Sequence, residues 1–259
     1  MKRIPIAFLV LVSLNILSAC QKPDSLDPFR HFTRERNQIV VISDIHLGAD
    51  LAYAECSDNL PYLEEFLNRV RFSGNVKELV IAGDLLDEWF VPANIDTYQG
   101  KDQADFVRRI AAANKGVIDV LKKIIREKRI LVTYVPGNHD LTISQASVEL
   151  ILPGINQARD PELGLGTYSP KGHPNIAIEH GHRYNFFCAP DPYTNQDIAP
   201  GTITPPGYFF TRIAALFVAQ GHPDKAADTL PEVTRNATGN ESQDLLFAYW
   251  KMWDWTLKN

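Results

Sequence analysis

The chain has 259 residues, 45% hydrophobic and 22% charged, enough to bury a sizeable core and unlike a disordered or fibrous polymer. A formal charge of −5, with no basic run and no basic–aromatic interleaving, argues against a protein that grips nucleic acid through its phosphates.

The first segment is not part of the fold. Residues 1–20, MKRIPIAFLVLVSLNILSAC, join a basic start at Lys2 and Arg3 to an apolar stretch shorter than the roughly 20 residues of a membrane span. This is the layout of an export signal. Leu17-Ser18-Ala19-Cys20 also resembles a bacterial lipobox, which implies cleavage before Cys20 and lipidation of that cysteine. The alternative is a plain secretory signal in which Cys20 is incidental. Residues 21–37 are polar and suit a tether, so the protein is expected on an exported face of a bacterial envelope, anchored to the membrane through lipid on Cys20. Export also permits a disulfide between Cys56 and Cys188, and their spacing leaves open whether they meet.

Residues 39–42, 79–82 and 130–135 are short apolar runs that each turn polar at once, into Ser43-Asp44-Ile45-His46, Gly83-Asp84 and Pro136-Gly137-Asn138-His139-Asp140. Helices are predicted between them. Residues 61–72 carry Leu63, Phe66, Leu67 and Val70, with Ser57, Asp58 or Asn59 available as N-cap. Residues 103–127 carry Val107, Ile110, Ile118, Leu121 and Ile125 at helical spacing. Alternating strands and helices predict an α/β domain with right-handed crossovers, a class that collects its polar residues at the carboxyl ends of the strands. Residues 176–178, followed by Glu179-His180, are expected to be a fourth strand end of this kind. In an extended chain His180 and His182 would then share one side.

Carboxylates (Asp44, Asp84), an amide (Asn138) and imidazoles (His46, His139, His180) at strand ends suit first-row divalent ions such as Mn, Fe, Co, Ni or Zn. A carboxylate shared between two ions is the usual way to hold a pair about 3.5–4 Å apart for two-metal hydrolysis.

Asp44-x-His46, Gly83-Asp84-x-x-Asp87 and Gly137-Asn138-His139-Asp140, in this order, resemble the first three signatures of the calcineurin-like metallophosphoesterase superfamily. The likeness runs from residue 39 to about 185. It implies an α/β fold, a two-sheet αββα sandwich, with a dinuclear centre at the strand ends. By that resemblance Asp44 and His46 would bind the first ion, Asp84 would bridge, and Asn138 and His180 would bind the second. His139 would be the leaving-group histidine with Asp140 orienting it, and a metal-bridging hydroxide would attack phosphorus in line. Asp87 would steady a ligand from behind or, alternatively, cap a helix or face solvent, and His182 is left as a neighbour of His180.

The superfamily also carries a later G-H-x-H motif with one ligand for each ion, and no G-H-x-H occurs in this sequence. Gly221-His222 is followed by Pro223 and Asp224, and His173 precedes an apolar run rather than following one. His180 fits the single-histidine motif that precedes the last. The expected domain is therefore a core at 38–185 followed by a proline-rich and helical insertion or cap at 186–259. In that tail Leu246, Tyr249, Trp250, Trp253 and Leu257 form an aromatic stripe better suited to a core than to ligands. The fold is expected to be incomplete on its C-terminal side, with the closing strand and last motif downstream; the other reading is a complete chain with a degenerate metal shell.

What the resemblance implies is a metal-dependent phosphodiesterase or phosphomonoesterase acting on a phosphoester substrate. A different class is an envelope lipoprotein that keeps the fold and serves as a binding or scaffold module. The GDLLDEW and HGH stretches are also similar to those of UDP-2,3-diacylglucosamine pyrophosphohydrolases, whose lipid substrate lies on the cytoplasmic face, away from where an export signal would take this chain.

Overall fold

The computed structural model describes Phe29, residues 35–191 and residues 203–221. The readings made for Cys20, for most of the tether, for His222 and for the aromatic stripe after residue 245 lie outside these residues. Four strands form one wholly parallel sheet in chain order: β1 (Gln38–Ile42), β2 (Val76–Ala82), β3 (Leu131–Val135) and a short β4 (Asn156–Gln157). The apolar runs read from the sequence become β1 to β3, and β2 is the innermost, with Val76, Leu79, Val80 and Ile81 wholly buried. A strand buried on both faces must be a near-continuous apolar run, which is why it was visible without alternation.

Helices α1 (Leu60–Phe72), α2 (Gln103–Ala113), α3 (Lys115–Glu127) and α4 (Gln145–Ile151) fill the crossovers. Asn59 takes the N-cap position of α1 without a side-chain bond, and Pro61 sits in the first turn, where its fixed φ suits a helix start. The single helix expected over 103–127 is broken at Asn114. Its buried carboxamide donates to Gly48 O and Ile110 O, 2.8 Å each, which ends α2, while the apolar spacing carries on into α3. Lys128 closes α3 with a left-handed residue (φ 54°).

The α/β class and its parallel sheet agree with the expectation. The segment 176–178 does not extend that sheet: Ile178 makes an isolated antiparallel bridge to Tyr168. Cys56 and Cys188 are both free thiols. Beyond the core, α5 (Pro206–Ala219) is fastened to the loop after β2. The buried Arg212 guanidinium donates to Pro92 O (3.2 Å), Ile95 O (2.5 Å) and Thr97 Oγ1. Tyr208 and Phe209 complete a small second core with Trp89, Leu141 and Ile203.

Candidate metal centre

The loops after β1, β2 and β3 meet at the carboxyl edge of the sheet, and their backbone is unusual. Asp44, His46 and Asp84 all have left-handed φ values of 55°, 53° and 53°, a region that costs a non-glycine residue about 1 kcal/mol or more. Cross-loop bonds hold them there: Ile45 N–H and His46 N–H both donate to Asp84 O at 2.9 Å. Two glycines make the approach possible. A Cβ on Gly83 would lie 2.4 Å from His180 Cγ, and one on Gly137 would lie 2.1 Å from Asp84 Oδ1.

Asp84 is the centre of the arrangement. Its Oδ2 is 3.1 Å from His180 Nε2 and 3.7 Å from His46 Nε2, and its Oδ1 accepts the His139 backbone N–H at 2.8 Å. His180 Nε2 is also 3.0 Å from Asn138 Oδ1, while its Nδ1 sits 2.9 Å from Ala82 O. A proton on Nδ1 donated to that carbonyl leaves Nε2 as the ligating nitrogen, the usual support for a metal-binding histidine. Asp44 is more open, with Oδ1 4.0 Å from His46 Nε2. Asp44, Asp84 and His180 place donor atoms within 4.8 Å of one another, and so do His46, Asp84 and His139. Asp84 belongs to both groups. A third group joins His46, Asp87 and Glu55, a residue outside every motif read from the sequence.

The expectation for Asp140 is corrected. Its carboxylate does not meet the His139 ring; it accepts the backbone N–H groups of Gly137 (2.7 Å), Leu85 (2.9 Å) and Leu86 (3.1 Å) and so clamps two loops together. Asp87 holds His139 instead. Its buried Oδ1 lies 2.9 Å from His139 Nδ1 and is steadied by the N–H groups of Trp89 (2.9 Å) and Phe90 (2.7 Å). The indole of Trp89 stacks on the His139 ring at 4.8 Å, a contact the sequence signalled only by the tryptophan two residues after Asp87.

His182 does not join His180 in an H-x-H pair. Gly181 turns the chain with φ 86°, residues 182–184 form a 3-10 turn, and His182 Nε2 bonds Gly164 O at 2.8 Å. Burial lowers its pKa and keeps it neutral, a packing support beside His180 rather than a ligand. His173 lies far off, 3.3 Å from Lys77 Nζ at the start of β2.

Electrostatics favour a cation here. Burial opposes charge on His46, but the hydrogen bond and charge of Asp87, with Asp84 behind it, lift the imidazole to about 9. His180 rises to about 9 in the same way, burial being outweighed by Asp84. Burial also opposes charge on Asp84 and Asp87, and the surrounding imidazoles more than offset it, so both carboxyls lie below the usual range. Asp140 goes the other way: burial, then the charge of Asp84, raises it. His46 Nδ1 and Asp87 Oδ2 face each other at 3.3 Å, both buried. Without a bound ion the imidazoles must carry protons to neutralise the carboxylates, so these donors fit divalent metal.

A parallel sheet that gathers carboxylate, amide and imidazole donors at its carboxyl edge defines a metal-dependent hydrolase site. The sequence matches the family model described as calcineurin-like phosphoesterase over residues 38–208, and the chain belongs to that family. Its domain is that of a metal-dependent phosphoester hydrolase. No curated protein matches the sequence.

Proposed function

We propose that the protein hydrolyses a phosphomonoester or phosphodiester with two divalent ions, one held by Asp44, His46 and Asp84 and the other by Asp84, Asn138 and His180. The observation that carries this reading is Asp84, which is shared by the Asp44–Asp84–His180 and His46–Asp84–His139 donor groups. Bound there, divalent ions supply positive charge that acidifies an attacking water and neutralises the phosphoryl oxygens. His139 has Nδ1 committed to Asp87, so Nε2 is the nitrogen left to give a proton to the leaving oxygen. Trp89 stacked on that ring, with Tyr208 of α5 edge-on to the indole at 5.8 Å, holds the imidazole and keeps water from one side of it. In this reading α5 is the inner part of a cap.

The absence of G-H-x-H favours a second reading, a lipoprotein that binds phosphoesters or a partner without turnover. Metal content and hydrolysis of p-nitrophenyl phosphate and bis(p-nitrophenyl) phosphate, measured on the full chain with added Mn, separate the two. Two bound ions with turnover support the hydrolase; two bound ions without turnover reject it. We propose further that the chain is exported and anchored through Cys20. Labelled palmitate should enter the wild type and not Cys20→Ser; equal labelling of both would reject the anchor.

A further inference from the structure

We propose that the amino-terminal edge of the sheet, opposite the metal site, is a docking face for anionic lipid headgroups of a membrane. The topology builds this edge. All strands run the same way, so the ends of α1 and α3 and the start of β3 return to it. They bring together Lys122, Lys123, Arg126, Lys128 and Arg129 with Arg71 of α1, in a chain whose overall charge is −5.

The cations surround apolar surface. A groove of about 540 Å³ is walled by Ile125, Ile130, Leu131 and Pro153 and rimmed by Lys122, Arg126 and Lys128. Leu131 is 44% exposed, and Phe72 at the end of α1 is 66% exposed, with the Arg71 guanidinium 4.7 Å from the centre of the phenyl ring. Cations over an apolar floor match an amphiphile with an anionic head, whereas a nucleic acid would leave that floor unused. Two acids lie near. Glu127 is held by Arg71 and Arg129, and Glu149 accepts the Gly154 N–H at 2.9 Å. Among the described residues none of Lys122, Arg126 and Lys128 has a carboxylate in ion-pair contact.

A second observation fixes which partner this is. The chain enters the domain at this same edge: Asn37 N–H and Gln38 N–H donate to Asn75 O at 2.9 Å, and Arg36 donates to Ser73 O (3.0 Å) and Val76 O (2.6 Å). Phe29 packs edge-on against Phe66 of α1 at 5.8 Å. The segment that carries the apolar stretch and Cys20 therefore joins the domain next to Phe72. A bilayer on this side leaves the metal site facing solution, on the order of 20 Å away across strands that rise about 3.3 Å per residue.

The test uses the full chain in phosphatidylcholine vesicles with and without phosphatidylglycerol, read by amide hydrogen exchange. Exchange at 69–76 and 122–131 should slow only with the anionic lipid, and the slowing should vanish in high salt. Each basic residue near an anionic surface is worth about a factor of five, so K122E/R126E/K128E should lower the docked-to-undocked ratio on the order of a hundredfold or more. Its exchange at 44–46, 84–90 and 138–140 should stay at the wild-type rate, which shows that the fold is kept. Equal exchange in both vesicles overturns the proposal. So does slowing that survives in the triple variant, or slowing caused instead by a mixed-sequence oligonucleotide.

Discussion

The two ends of the parallel sheet are made by the same strands and carry opposite chemistry. At the carboxyl end, loops forced into left-handed backbone press carboxylates and imidazoles together until Gly83 and Gly137 have no room for a side chain. At the amino end, the lysines and arginines are spread along the ends of α1 and α3, and Arg71 and Arg129 share Glu127. The first end holds its residues by backbone bonds from other loops, so each depends on its neighbours. The second holds them by helix spacing and, for Arg71 and Arg129, by the partly exposed carboxylate of Glu127, so most act independently. Substitutions should therefore be severe and coupled at one end and mild and additive at the other.

The largest effect belongs to Asp84. Asp84→Asn keeps the shape and the acceptor for His139 N–H but halves the donor capacity shared by the two groups. Activity on p-nitrophenyl phosphate should fall by roughly a thousandfold or more, with loss of bound metal by elemental analysis. Retention of both ions and of activity would break the assignment. Gly137→Ala comes next. The added Cβ would press on Asp84 Oδ1 at 2.1 Å, and a misplacement on the order of 1 Å costs about a hundredfold in rate. Here kcat should drop while the charge count of the site is unchanged.

How much of this was legible in the sequence follows from the same contrast. Strands β1 to β3 were visible as short continuous apolar runs, which burial on both faces demands of β2, and the motif residues were visible because they follow those runs directly. What was not legible depends on contacts between loops distant in sequence. Asp140 stands next to His139 in the chain, but its carboxylate turns to Leu85 and Leu86, and Asp87 from another loop takes the imidazole. The break at Asn114 was hidden because apolar spacing runs through it, and only the carbonyl of Gly48, 66 residues away, explains it. His180 lies beside Asp84 and Asn138, but no sheet strand precedes it, and Gly181 rather than extended pairing sets the direction of His182.

A smaller effect should come from Asp87→Asn. The carboxylate holds His139 and is the chief reason, against burial, that His46 rises to about 9. Loss of a partner that steadies a ligand from behind costs about 10–100-fold in metal affinity or activity. The pH signature is more telling. His46 and His180 have folded pKa values of about 9 against an ordinary 6.5, so in the metal-free protein their stabilising contribution is full below 6.5 and is lost as pH rises through about 9. Metal must displace those protons, so apparent affinity should climb with pH over the same window. Thermal melts in EDTA should fall between these limits, and calorimetry in two buffers should show proton release near neutral pH. In Asp87→Asn the His46 share of both effects should shrink. An unchanged proton count would separate Asp87 from His46.

The smallest effect tests the other end. Glu127 bridges Arg71 and Arg129 with a carboxylate a quarter exposed, in a setting where ion pairs are worth at most about 1 kcal/mol and are screened by salt. Glu127→Gln should lower the unfolding free energy by less than about 1 kcal/mol in a denaturant titration, and leave hydrolysis of p-nitrophenyl phosphate unchanged. It removes a negative charge from a basic face and releases two guanidinium groups. Attachment to anionic vesicles should therefore strengthen by about fivefold, the worth of one elementary charge near such a surface. Stability and docking thus move in opposite directions, which no general damage to the fold produces. A drop in activity would mean that the two ends are coupled through the strands, and the contrast between them would fail.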